Sequence, residues 1–127
     1  MFRQVMSERP LSPHLQIYRL PLTAVLSITH RITGVLLSVG LVFWAVCLMA
    51  VAEGEAQFAW IQAVLRSLPG QLLLWAWLFS LFFHFSHGVR HLIWDTGHGF
   101  DRDTLDRYAY LELVAAVLLT LGLFLLT

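Results

Sequence analysis

Hydrophobic residues dominate three long stretches of the chain, at 22–52, 71–95 and 107–127. Each reaches or exceeds the roughly 20 residues that a helix needs to cross the ~30 Å hydrocarbon layer of a bilayer. Because the backbone must satisfy its own hydrogen bonds in lipid, each stretch is expected to be helical. The pattern therefore predicts an all-α membrane protein with three transmembrane helices in a single domain, 1–127.

The segments outside these stretches carry most of the charge and the helix-breaking residues. Residues 1–21 are expected to be a cytoplasmic N-terminal segment, in which three prolines discourage an early helix: Pro10, Pro13 and Pro21. The first apolar stretch starts too late and runs too long for a cleaved signal peptide. Between the first two spans, 58–68 is predicted to form a short helix at the membrane interface, anchored by Trp60.

The arginines are distributed unevenly between the two sides of the predicted membrane. They precede the first span (Arg3, Arg9 and Arg19) and recur around the loop after the second (Arg90, Arg102 and Arg107). The first loop has only Arg66. The positive-inside rule then places the N-terminus and the second loop in the cytoplasm and the C-terminus in the periplasm. Since no targeting extension is apparent, we expect a bacterial inner (cytoplasmic) membrane.

Composition excludes several classes of function. The formal net charge is zero and no polybasic block occurs, so nothing favours binding to nucleic acid. The single cysteine, Cys47, leaves no disulfide framework or CxxC metal motif and is expected to be a small buried hydrophobe. The Gly- and Asp-rich loop after the second span, with His98, is expected to be a solvated turn.

Polar residues nevertheless collect inside the second span, within 84–95, HFSHGVRHLIWD. At about 100° per residue, one helix face carries His84, Gly88, His91 and Asp95. His87 lies at the margin of this face and Arg90 to its side. Gly88 leaves a gap through which something large and flat could approach the backbone.

The first span carries a matching face, at i, i+3, i+4 and i+7: Ser27, His30, Arg31 and Gly34. Ionisable groups in a span usually face the bundle interior, so the two faces are expected to meet. His84 lies roughly 15 Å from the cytoplasmic end of its helix, and the other polar groups are shallower. This arrangement suits a haem, whose iron takes a neutral imidazole and whose propionates need donors or positive charge.

Other interpretations of these residues stay open. A histidine in a membrane helix often hydrogen-bonds a neighbouring helix, and Arg31 could snorkel to the interface. A zinc site is less favoured because no cysteine or carboxylate lies at the depth of His84. A proton path through His84, His87 and His91 would not require the gap at Gly88. The many aromatic residues of the second span surround the helix and indicate lipid contact or packing.

Two groups of residues resemble the signatures of a known family. The first group is Arg9-Pro10-Leu11, Leu15, Leu22, Ser27, His30-Arg31 and Thr33. The second is His84, Gly88-Val89-Arg90-His91-Leu92, Trp94-Asp95 and Gly97. In order and separation they resemble the cytochrome b subunit of succinate dehydrogenase, a membrane anchor of respiratory complex II. The resemblance extends over essentially the whole chain.

The resemblance implies a cofactor, a substrate and residues that bind them. His84 would be the axial ligand of haem b, with the other ligand supplied by a histidine of a second membrane-anchor subunit that completes the bundle. His30, Arg31 and His91 would bind the haem propionates, while Ser27 and Arg31 would bind ubiquinone. Because two histidines fill the iron, the haem would transfer electrons and not activate oxygen.

The resemblance also implies partners and a place in metabolism. A flavoprotein subunit and an iron–sulfur subunit would oxidise succinate on the cytoplasmic face. This chain would pass their electrons to ubiquinone, in the tricarboxylic acid cycle and the aerobic respiratory chain, and would be inactive alone. Alternatives are the anchor of a fumarate reductase using menaquinone, a haem-free membrane tether, and a small proton-conducting or transport protein.

Three residues of the second signature region keep uncertain roles. His87 offers a rival imidazole one turn from His84. Arg90 and Asp95 are expected to form a salt bridge at the cytoplasmic edge or to contact the soluble subunits.

Overall fold

The computed structural model describes residues 17–126. Most of the expected N-terminal segment, including Arg9-Pro10-Leu11 and Leu15 of the first signature, lies outside the described residues. Between Leu22 and Leu126 the chain forms four helices and no strand. They are α1 (Leu22–Glu53), α2 (Glu55–Arg66), α3 (Leu68–Asp95) and α4 (Arg102–Leu126).

Three of these helices, α1, α3 and α4, are long and apolar enough to cross a membrane. Their most apolar 18-residue windows have mean hydropathies of 2.6, 1.4 and 2.3. Between 11% and 17% of each window is buried inside the chain, so most of these apolar side chains face outward. The predicted all-α membrane fold with three spanning helices is confirmed.

Polar caps extend two of the helices beyond the apolar stretches. The helix containing the second stretch begins at Leu68, because the Ser67 hydroxyl accepts a 3.2 Å hydrogen bond from the Gly70 N–H and Pro69 is tolerated in the first turn. The helix containing the third begins at Arg102, where an Asp101 carboxylate oxygen accepts a 2.9 Å bond from the Thr104 N–H. Hydropathy cannot reveal these charged or polar first turns.

The α3 helix packs against the other three helices and forms the centre of the bundle. The core cluster consists of Leu26, Phe83, Ala109 and Ala116. Both alanines are fully buried, and such small residues allow helices to approach closely in a membrane.

A second cluster joins α1 to α2 through Cys47, Ala50 and Ile61. Cys47 is buried and unpaired, as expected for a small hydrophobe. Trp60, next to Ile61 in α2, is 67% exposed. A short helix is therefore present in the first loop, and its placement at the membrane interface stays a prediction.

Candidate functional site

Four histidines gather where α1 and α3 cross: His30 on α1, and His84, His87 and His91 on α3. The His30 ring stacks on His84, with centroids 3.9 Å apart and planes 15° apart. It lies 4.5 Å from the His87 ring and 5.6 Å from the His91 ring. Gly34 permits this contact, because a Cβ there would lie 3.1 Å from Cε1 of His84. The two polar faces thus meet through His30, Gly34 and His84.

The hydrogen bonds of His84 determine which of its ring nitrogens is free. Its Nδ1 lies 3.2 Å from the carbonyl oxygen of His30 and 3.1 Å from Oγ1 of Thr33. A carbonyl oxygen only accepts, so Nδ1 carries the hydrogen in this bond. Thr33 donates its own hydroxyl hydrogen to the same carbonyl, at 2.8 Å. In the neutral ring Nε2 is then a lone-pair atom, and no residue in the described part of the chain hydrogen-bonds it.

His87 is directed toward α4 and is completely buried. Its Nδ1 donates to the carboxylate of Glu112, whose two oxygens lie 3.0 and 3.1 Å away. Arg90, 2% exposed, donates to the same carboxylate at 3.3 Å and to the Leu105 carbonyl at 3.1 Å. The Arg90 guanidinium also lies over the Trp94 ring, 4.6 Å from its centroid. Arg90 thus forms a salt bridge to Glu112 that is buried in the bundle, and a contact of Arg90 or Asp95 with the soluble subunits stays a prediction.

Glu112 was not identified from the sequence, although it carries a recognisable signal. It is the only charged residue in 108–127, and it is 4% exposed. A lone ionisable residue in a transmembrane segment usually faces a partner inside the bundle. What the sequence could not supply is the rotation of α4 that brings this carboxylate to His87 and Arg90.

The other predicted residues lie on open surfaces of the chain. Ser27 is half-buried and Arg31 is exposed, and neither side chain has a hydrogen-bonding or ionic partner among residues 17–126. His91 is exposed and borders the cluster through ring contacts with His87 and Trp94, each at 5.0 Å. Asp95 is exposed and takes no part in the cluster.

The donor set fits an iron porphyrin at His84. His84 lies beside an accessible strip of α3, since a Cβ at Gly88 would meet nothing within 4 Å. No contact inside this chain requires a glycine at position 88. A flat group packed against α3 would require one, because a side chain at this position would keep the group away from the backbone. His30 and His91 on either side offer ring nitrogens that can donate to carboxylates.

Three of the imidazoles also lie close enough together to bind a single metal ion without a porphyrin. One ring nitrogen from each of His30, His87 and His91 lies within 4.8 Å of the others. Nε2 of both His30 and His87 is buried, with no hydrogen-bond partner in the described residues. This set does not include His84, so it does not replace the haem interpretation.

An apolar cavity lies apart from the histidines. It has a volume of about 440 Å³ and is bounded by α1, α2 and α3, with Trp44, Cys47 and Trp77 in its walls. None of the four clustered histidines lines it. The polar chemistry of the described chain is thus concentrated at the His30–His84 crossing.

The family model described as succinate dehydrogenase/fumarate reductase transmembrane subunit matches residues 6–123. The chain belongs to this family. A succinate dehydrogenase cytochrome b556 subunit of Paracoccus denitrificans is 39% identical over 111 residues, covering 87% of this chain and 85% of the relative. A cytochrome b560 subunit of Reclinomonas americana is 38% identical over 118 residues, covering 89% and 82%. A mitochondrial cytochrome b560 subunit of Sus scrofa is 35% identical over 122 residues, covering 92% and 70%. These matches confirm the resemblance seen in the two signatures.

Proposed function

We propose that this chain is the haem b- and ubiquinone-binding membrane anchor of a succinate dehydrogenase. The observation that carries the proposal is the hydrogen bonding of His84. With Nδ1 committed to the His30 carbonyl and the Thr33 hydroxyl, Nε2 presents its lone pair, which is what an axial iron ligand must do. The named relatives are cytochrome b subunits, which supports haem b as the group bound there.

In this proposal each polar residue at the crossing has a defined task. His84 would hold the haem iron, together with a histidine of the second anchor subunit. His30, Arg31 and His91 donate hydrogen bonds or positive charge to the propionates. When bound, haem b accepts and returns single electrons. The Nδ1–H bonds of His84 fix its ring orientation and raise the basicity of Nε2.

Ubiquinone would bind at Ser27 and Arg31. They lie one turn apart on α1, and their side chains are without partners among residues 17–126. A hydroxyl and a guanidinium can donate to the quinone oxygens, which gain negative charge as two electrons arrive. Two protons must also be delivered, and the position of these residues near the arginine-rich end of the bundle favours cytoplasmic water as their source.

The partners of the proposed complex follow from the surfaces that this chain exposes. The apolar faces of the three spanning helices would contact lipid and the second anchor subunit. The iron–sulfur and flavoprotein subunits would dock at the cytoplasmic end, close to Ser27 and Arg31. The family description also covers fumarate reductase, which runs the chemistry in reverse. The reported relatives are all named succinate dehydrogenase, which favours succinate oxidation.

The iron ligand is tested by purified His84→Ala and His87→Ala complexes. We expect His84→Ala to lose or alter the reduced-minus-oxidised haem b bands, because Nε2 of His84 offers a lone pair that no residue of 17–126 hydrogen-bonds. His87→Ala should retain two-histidine ligation. Loss of the bands in His87→Ala alone would reassign the ligand, and a wild-type complex without haem b bands would establish a haem-free tether.

The quinone site is tested by Ser27→Ala and Arg31→Leu. Each variant should lose ubiquinone reduction while the assembled complex still reduces a soluble dye with succinate. The dye accepts electrons from the soluble subunits, so it controls for assembly. Wild-type rates of quinone reduction in both variants would refute the assignment.

A further inference from the structure

We propose that Glu112 is a positioning residue for the haem site and that its charge, paired with Arg90, sets the haem reduction potential. The proposal rests on the proposed function, because it concerns the haem that His84 would hold. Glu112, His87 and Arg90 have no assigned role in that function.

Two opposite charges are buried inside the bundle. The side chains of Arg90 and Glu112 are each 3% exposed and lie 3.3 Å apart. Removing one partner of such a pair leaves an uncompensated charge in a low-dielectric interior, which is strongly unfavourable. The pair thus keeps the local charge near zero while two ions lie inside the membrane domain.

A chain of contacts leads from Glu112 to His84. Glu112 fixes His87 through both carboxylate oxygens, at 3.0 and 3.1 Å. The His87 ring lies 4.5 Å from the His30 ring, which in turn stacks on His84 at 3.9 Å. Each member touches the next, so the carboxylate on α4 supports the imidazole that borders the haem ligand.

The orientation of the His30 ring depends on packing. Its Nε2 is buried without a hydrogen-bond partner among the described residues, so the orientation of the ring depends on its ring neighbours. His87 is one of those neighbours, and it is completely buried. Without the Glu112 hydrogen bonds, His87 can rotate, and the His30 ring would lose a fixed surface behind it.

If the charges of Arg90 and Glu112 act on the haem, removing one or the other should shift the haem midpoint potential in opposite directions. Structural disruption of the site has no reason to give opposite shifts. Oxidised haem iron carries one more positive charge than reduced iron, so an added positive charge favours the reduced form and raises the midpoint potential. Glu112→Gln keeps the side-chain shape, leaves Arg90 unpaired and should raise the potential. Arg90→Gln leaves Glu112 unpaired and should lower it. The double variant should return close to wild type.

The experiment uses the whole complex purified from membranes. Redox titration gives the haem midpoint, and electron paramagnetic resonance of the oxidised haem reports the ligand geometry. Glu55→Gln, a carboxylate exposed on α2, is the matched control and should change neither. His87→Gln should alter the resonance spectrum, because it removes the ring behind His30.

The midpoint potentials and the assembly of the single and double variants either support or overturn the proposal. Opposite shifts that cancel in the double variant support the charge pair, and shifts of the same sign or none overturn it. If both single variants fail to assemble while the double variant assembles, the pair is also supported, since only the single variants bury an unpaired charge. Failure of all three, together with an unchanged spectrum in His87→Gln, overturns the proposal. A wild-type complex without haem would instead refute the proposed function.

Discussion

At the scale of single residues, Gly34 leaves the space on α1 that the ring of His84 occupies. A Cβ at this position would lie 3.1 Å from Cε1 of His84, closer than most real side chains tolerate. The acceptors that hold His84 Nδ1 come from His30 and Thr33, which precede Gly34 within the same turn of the helix. Close approach and ligand orientation are therefore set by one turn of α1.

Gly34→Ala is expected to displace the His84 ring and to alter the haem b spectrum. The overpacking should cost about 1–3 kcal/mol. Gly122→Ala is the control, because a Cβ there would meet nothing within 4 Å. In a helix that change should stabilise by roughly 0.5–1 kcal/mol. Optical spectra and melting temperatures of the two complexes test this, and matching spectra for Gly34→Ala and wild type would contradict it.

The clustered residues also show what helical periodicity can and cannot predict. The spacing of His30 and Gly34 on α1 and of His84 and His91 on α3 was enough to predict two facing polar surfaces. The partner of His87 was not predictable in this way. Glu112 is 25 residues further along the chain, and its contact depends on how α4 is rotated against α3.

At the scale of elements, the ends of the helices depend on local hydrogen bonds that hydropathy does not record. Apolar stretches located all three spanning helices, since each must hide its backbone from lipid. The starts of α3 and α4 lie further toward the N-terminus, because Ser67 and Asp101 bond the free N–H groups of the first turns. In α4 this adds a charged turn, 102–106, ahead of the apolar stretch.

Asp101 should make the first turn of α4 sensitive to acid. Hydrogen bonds from Thr104, through its side chain and its backbone N–H, lower the pKa of Asp101 from its ordinary value. Its stabilising effect is therefore full above the ordinary pKa of an aspartate and is lost as the pH falls through the lower, folded value. Asp101→Asn keeps an acceptor that does not titrate in this range.

The measurement is the difference in melting temperature between the wild-type and Asp101→Asn complexes as the pH is lowered. Any advantage of the charged cap should disappear at acid pH and remain constant above the ordinary pKa. Asp101→Ala should lower the melting temperature at neutral pH, because the Thr104 N–H loses its acceptor. A difference that grows as the pH falls would contradict this role.

At the scale of the whole molecule, this chain buries few of its apolar residues against itself. At most 17% of any spanning window is buried, and α4 exposes side chains such as Leu125 at 82%. Lipid and a second anchor subunit would both suit these faces. The polar contact between α1 and α3, at His30 and His84, lies among these apolar faces. The proposed function also requires that the Ser27 and Arg31 end of α1 faces the cytoplasm.

The uneven distribution of the arginines predicts which way the chain crosses the membrane. With Cys47→Ser as the background, the chain has no cysteine, so a single new one reports its own side of the membrane. His98→Cys lies in the arginine-flanked loop between α3 and α4, and Glu55→Cys lies at the start of α2; both positions are exposed. By the positive-inside rule, a membrane-impermeant maleimide should label His98→Cys only in inverted vesicles and Glu55→Cys only in right-side-out vesicles. The reverse pattern would place Ser27 and Arg31 near the outer surface, away from cytoplasmic succinate-oxidising subunits, and would exclude the proposed electron path.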